Sequence, residues 1–147
     1  MTDQLLNEYE QFISKDTFSN LKEFLECVGS DKIFREGQKS ILCFRDSGSN
    51  GKTTLAKKII NLVGNNNTFI LSSNSLEKYE GQKLVVNHEY EENNNSLLKK
   101  LCGGDIYYLR NTCFIPKCNI ICVLNDSSGV TNDMLARFVF VDFIHTF

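Results

Sequence analysis

Gly51-Lys52-Thr53-Thr54 follows an apolar run, Ser40-Ile41-Leu42-Cys43-Phe44-Arg45, and a loop of small residues, Ser47-Gly48-Ser49-Asn50, and it opens a helical pattern. Strand, small-residue loop and helix in that order are the context a phosphate-binding loop needs. Small residues let backbone N–H groups curl around a triphosphate. The helix that follows presents free N–H groups and the positive end of its dipole to the same anion. Lys52 is placed to reach β- and γ-phosphates, and the Thr53 hydroxyl to coordinate Mg²⁺. The expected ligands are ATP and Mg²⁺, bound by Ser47, Gly48, Ser49, Asn50, Gly51, Lys52, Thr53 and Thr54. In the pattern Gly-x-x-x-x-Gly-Lys-[Ser/Thr], the first glycine is here Asp46. Aspartate tolerates left-handed geometry better than most residues, so the turn is expected to survive with the carboxylate facing away from the phosphates. The competing reading is a plain helix N-terminus carrying a solvated lysine.

Phosphoryl chemistry also needs a carboxylate at the tip of a neighbouring strand, to hold the Mg²⁺ shell and orient the attacking water. Leu84-Val85-Val86-Asn87-His88-Glu89 supplies one in Glu89, with Glu91 and Glu92 just beyond. His88 stands where many such sites carry a first acid and is read as a hydrogen-bonding neighbour. Either Glu89 serves both roles or Glu91 curls back to help. The competing reading is an acidic loop after an ordinary strand.

Positioning these groups requires strands that alternate with helices. Helical periodicity runs over residues 3–28, where Asp16 and Thr17 are candidate caps of a second helix that Gly29 closes. A strand over 40–45, a helix over 52–63 stopped by Gly64 and a strand over 68–71 follow. A turn or short helix at 75–79 precedes a strand over 83–88. Next come a helix over 96–101 capped by Asn94, Asn95 or Ser96, a strand over 105–110 and a hairpin through 111–117. The chain ends with a strand over 118–124, a short helix over 132–136 and a strand over 138–143. Such alternation implies a mostly parallel sheet with helices on both faces.

The chain of 147 residues has room for one compact domain, divided into an N-terminal helical region, 1–37, and a core, 38–147. Its 41% apolar and 23% charged residues are those of a globular protein. A net charge of −2 argues against non-specific binding of nucleic acid by the whole surface, while leaving room for a local basic loop. No apolar run approaches the ~20 residues of a membrane span. Six cysteines lack Cys-x-x-Cys spacing and mostly sit in apolar segments, so they are expected to be buried free thiols in a reducing, intracellular compartment.

Five segments in order resemble the ATPase core of superfamily 3 helicases, an AAA-like P-loop family, most closely its poxvirus- and phage-type primase-helicase branch. They are Ser47–Thr54, Lys83–Glu89, Leu98-Lys99-Lys100-Leu101-Cys102-Gly103-Gly104-Asp105 with Arg110, Ile120–Asn125, and Leu135–Phe143. The Lys-x-Leu-x-Gly-Gly-Asp segment is the most specific of these. The resemblance implies a ring, usually a hexamer, with ATP between subunits and DNA in the pore, single-stranded or forked, and other replication proteins as partners. It implies that Asn125 senses the γ-phosphate or attacking water, and that Arg137 is an arginine finger for a neighbouring subunit. The loop around Arg110–Lys117 would be the pore hairpin, with Lys99, Lys100, Arg110 and Lys117 as phosphate contacts and Phe114 as a stacking contact. Catalysis would then rest on Lys52, Glu89, Asn125 and Arg137, in a viral enzyme that couples ATP hydrolysis to moving DNA. Two alternatives stay open: a P-loop kinase acting on a small molecule, and a module whose assembly depends on nucleotide without hydrolysing it.

Overall fold

The computed structural model describes residues 2–36, 39–46, 51–72, 75–103, 106–109, 112–124 and 129–144, with the backbone alone at 46, 107, 109, 112 and 114. Five parallel strands form one sheet: β1 (Ile41–Asp46), β2 (Thr68–Ile70), β3 (Leu84–Asn87), β6 (Asn119–Val123) and β7 (Phe138–Phe143). Their order across the sheet is β2-β3-β6-β1-β7. A separate antiparallel pair, β4 (Tyr107–Leu109) and β5 (Thr112–Phe114), makes the expected hairpin. The helices are α1 (Thr2–Tyr9), α2 (Lys15–Gly29), α3 (Lys52–Val63), α4 (Asn95–Cys102) and α5 (Asn132–Leu135).

Strands buried on both faces need apolar residues at both parities, and these have them. One parity (Leu42, Phe44, Val86, Ile121, Val123, Val141) packs with Leu21, Phe24 and Leu25 of α2 and Leu55 and Ile59 of α3. The other (Ile41, Cys43, Val85, Ile120, Cys122, Phe138) packs with Leu98 and Leu101 of α4 and Met134 of α5. Helices therefore cover both faces. The N-terminal helices share their apolar cluster with the sheet, since Leu5, Tyr9 and Ile13 join it directly.

The same N-terminal segment covers the outer edge of β7, where unpaired ladder groups would otherwise face solvent. The Ser14 amide donates to the Asp142 carbonyl (2.8 Å) and the Ile144 amide to the Phe12 carbonyl (2.9 Å). The Asp142 amide donates to Thr17 Oγ1 at 2.9 Å, and Asn20 Nδ2 to the Phe140 carbonyl at 3.0 Å. This corrects the expected cap of α2. The cap position is Ser14, and Thr17 is held by the Ser14 hydroxyl (2.6 Å) and by β7, because its hydroxyl is the acceptor the strand edge requires.

At the start of α4 the N-cap position is Asn94, one of the three expected residues. Asn94 does not cap it through its side chain. Its oxygen instead accepts from Asn87 Nδ2 (3.1 Å) and the Glu91 amide (2.9 Å), which satisfies a carboxamide that is buried. Among the described residues the cysteines are free: Cys43, Cys118 and Cys122 are buried, Cys27 and Cys102 half-buried, and Cys113 exposed. Burial pushes the Cys43 and Cys118 thiols up to about 12, and Cys122 well above its ordinary value, so these three are inert packing groups. No helix of the described residues is long and apolar enough to cross a membrane.

Candidate functional site

Because all five strands run the same way, their C-terminal ends share one edge of the sheet. In open α/β sheets, ligands bind beyond that edge where the strand order reverses. Here the reversal is at β1, whose neighbours are β6 and β7. The loop that leaves β1 is the candidate phosphate loop.

Of that loop, Ser47, Gly48, Ser49 and Asn50 lie outside the described residues. Gly51 is buried at the N-cap of α3 with φ 104°, a left-handed conformation that excludes most side chains. Gly51 has no side chain with which to cap the helix, so it leaves the first-turn amides without a capping oxygen of its own. Lys52 is 9% exposed, and its Nζ donates to the Leu124 carbonyl at 3.0 Å. Thr53 and Thr54 are exposed on the first turn. A glycine turn, an inward lysine, an exposed threonine hydroxyl and the start of a 12-residue helix fit a Mg-bound polyphosphate. Asp46 ends β1 as an extended residue paired with Phe143, so the strand continues through it and no left-handed turn falls there. Arg45, beside the loop, is taken by Asp142 in a two-pronged ion pair (2.6 and 3.1 Å) and lies 3.7 Å over the Phe140 ring.

The tip of β6 joins this lysine to the acidic strand. The Leu124 amide donates to the Phe44 carbonyl of β1 (2.9 Å), and the Tyr90 amide to the Val123 carbonyl (3.1 Å). Glu89, next to Tyr90, is exposed just past the end of β3. The acid strand was expected beside the phosphate-loop strand; instead β6 is inserted between them. At ~4.8 Å per strand that sets their tips ~10 Å apart. Asn125, which follows Leu124, lies outside the described residues, but β6 is the strand that leads to it.

On the far side of Glu89, a cleft of about 360 Å³ lies between the tips of β2 and β3, bordered by Ser72, Asn87, His88, Glu91 and Asn94. His88 is half-buried. Its Nδ1 is buried and has no hydrogen-bond partner among the described residues. Burial, then Lys57, pull its pKa below the ordinary value against Glu89, so the ring is neutral at physiological pH. Among the described residues, no group of His, Cys, Asp and Glu is arranged to hold a metal by itself.

Arg137 lies on the opposite edge, immediately before β7. Its carbonyl accepts from the Ile41 amide at the start of β1 (3.1 Å). The guanidinium touches Cys102 Sγ at 3.6 Å, and its Nε is buried with no partner among the described residues. The strands it precedes are six residues long, a span of ~20 Å, which no side chain bridges. Arg137 and Lys52 of one chain therefore do not meet.

The hairpin and the lysines share that edge. Lys99 is ion-paired with Asp133, Lys100 is exposed on α4, and Lys117 is exposed at the hairpin base. Arg110 and the side chain of Phe114 lie outside what is described. The sequence reading missed Tyr108, which is 73% exposed on β4. A tyrosine within an apolar run gives no sign of its face until the pairing partner is known. It also missed the Leu124 carbonyl, a backbone group that no motif encodes.

No protein-family model matches the chain, and no curated protein matches it in sequence. Among solved structures, the X-ray structure of JCV helicase matches with a TM-score of 0.58 and 21% identity, over 84% of this chain. The match covers 39% of the JCV chain, so this protein spans about two fifths of that helicase's length. At that identity the likeness is one of fold: the chain has a helicase-like α/β fold, built on an all-parallel five-stranded sheet.

Proposed function

We propose that this protein is the ATP-hydrolysing core of a viral-type superfamily 3 DNA helicase, acting as a ring in DNA replication. The observation that carries the reading is Lys52, the first residue of α3. It is turned inward at the C-terminal edge of the sheet and tied to the strand that separates it from Glu89. A lysine of that kind serves a polyanion at the helix N-terminus. Thr53, with Glu89 through water, would hold the Mg²⁺ that comes with ATP, and the metal would supply positive charge against the negative charge developing on the phosphates. Residues 47–51 and the α3 amides would hold the triphosphate, and Lys52 its terminal phosphates. Glu89 would orient the attacking water, and Asn125 would sense the γ-phosphate.

Arg137 fits this scheme only in trans. Held a strand's length from its own Lys52, it serves as a finger when a neighbouring subunit brings its nucleotide edge against this one's opposite edge. Such head-to-tail contacts close into rings, of which a hexamer is the family's usual size.

The test is ATP turnover across protein concentrations, with and without single-stranded DNA. Turnover should rise with both, vanish in Lys52→Ala and Arg137→Ala, and fall at least a hundredfold in Glu89→Gln with ATP binding kept. Turnover that ignores Lys52→Ala would sink the reading. ATP binding with a rate indifferent to Glu89→Gln would favour the non-hydrolysing module, to which Asp46 and His88, standing where the motif has Gly and an acid, lend some weight.

A further inference from the structure

We propose that a cleft on the N-terminal edge of the sheet, rimmed by Lys32, Lys83 and Lys117, is a second contact site for single-stranded nucleic acid; this rests on the DNA-handling reading above. The cleft has a volume of about 600 Å³ and lies between the ends of α2 and α3 and the starts of β3 and β6. Its floor is aliphatic, including Val28, Leu62 and Leu84. Three ammonium groups against the single carboxylate of Asp31 give the rim an excess of two positive charges, in a chain whose formal net charge is −2. Lys83 is held by both Asp31 oxygens (2.7 and 2.8 Å). Among the described residues no carboxylate pairs with Lys32 or Lys117.

The three lysines come from distant parts of the chain, and one buried residue gathers them. The Asn119 side-chain oxygen accepts from the Phe34 amide (2.6 Å), and its Nδ2 donates to the Lys32 carbonyl (2.9 Å). The Asn119 amide donates to the Lys83 carbonyl (2.8 Å), and Lys117 lies two residues upstream. The cationic rim is thus fixed at its backbone; Lys83 is tethered to Asp31, while the long side chains of Lys32 and Lys117 have no carboxylate partner among the described residues and can follow a flexible polyanion.

A polymer suits the site better than a compact anion because the cleft continues. A second cleft of about 270 Å³ shares Ile33 and Lys117 with it and runs past Pro116 to Cys102 and Gly103 at the foot of the hairpin; Glu36 also lines it, which leaves the two clefts together with one net positive charge. On the hairpin above that foot, Tyr108 of β4 is exposed and offers a stacking face. A strand stacked on the hairpin meets Lys117 next, then Lys83 and Lys32, with sugars and bases over the aliphatic floor. The site lies on the edge opposite Lys52, so a strand bound there leaves the nucleotide edge free.

The experiment is fluorescence anisotropy of a labelled oligo-dT with the full chain, without nucleotide, over a salt series. Each lost phosphate contact should reduce the slope of log K against log salt by ~0.7, which is about fivefold in affinity per lysine near 0.1 M salt. Lys32→Gln with Lys83→Gln should show that loss twice over. Asp31→Asn should bind more tightly, a change that misfolding does not mimic, and Lys22→Gln on the exposed face of α2 should match the parent. Unchanged affinity and slope in the double variant, or a parent that does not bind oligo-dT, overturns the proposal. Lysine-dependent binding of poly-glutamate in place of oligo-dT would overturn it in favour of an acidic polypeptide. Because no ATP is present, lysine-dependent DNA binding without turnover would sink the motor and spare the cleft.

Discussion

A nearly buried ammonium group must have a hydrogen-bond partner or an anion beside it, and Lys52 has the Leu124 carbonyl. That contact holds the ammonium group at the tip of β6, where a phosphate would join a donor already aimed. Asp46 is less disruptive than its charge suggests, because at that position the backbone is still a strand. His88 is the residue most open to a thermodynamic test. Burial lowers its pKa from the ordinary 6.5, with Lys57 acting in the same direction and Glu89 against it. The unfolded chain therefore binds the proton more readily than the folded one. The stability this contributes is complete above pH 6.5 and is lost as pH falls through the lowered folded value. His88→Asn should flatten the acid limb of a urea-midpoint profile; an unchanged limb would assign that titration to other groups.

At the scale of elements, the periodicity of the apolar residues is enough to place α3 at 52–63 and β7 at 138–143, and the structure has both with those bounds. Long elements whose faces are set by burial are legible because their pattern repeats. Caps and edges are less so. Thr17 reads locally as a helix cap, yet it satisfies a strand amide 125 residues away. Valine keeps the shape of the side chain but removes the oxygen that accepts from that amide. Thr17→Val should thus lower stability by about 1–2 kcal/mol, read as a lower urea midpoint with an unchanged m-value. Stability equal to the parent's would mean that water serves the β7 edge equally well.

For the whole molecule, the parallel sheet separates two edges. Lys52 and Glu89 occupy the C-terminal edge; Arg137, the hairpin, Tyr108 and the cluster of three lysines occupy the other. In a head-to-tail ring, one subunit's arginine would reach the next subunit's phosphates. Two inactive variants should then complement each other. Lys52→Ala mixed with Arg137→Ala in equal amounts should recover about a quarter of the parent rate, since only junctions of one kind hold both groups. A mixture as inactive as its components would place the arginine's role within its own subunit's fold or remove it from catalysis.

The alternation of strands and helices, the glycine–lysine–threonine turn at the start of α3 and the acid after β3 are legible along the chain. Each of these is written in neighbouring residues whose burial or backbone geometry constrains their type. Which strands adjoin is visible only in the folded sheet. The insertion of β6 between β1 and β3, the strand length between Arg137 and Lys52, and the gathering of Lys32, Lys83 and Lys117 around Asn119 all follow from that order. Strand order is set by the packing of two apolar faces over the whole sheet, so no local pattern along the chain encodes it.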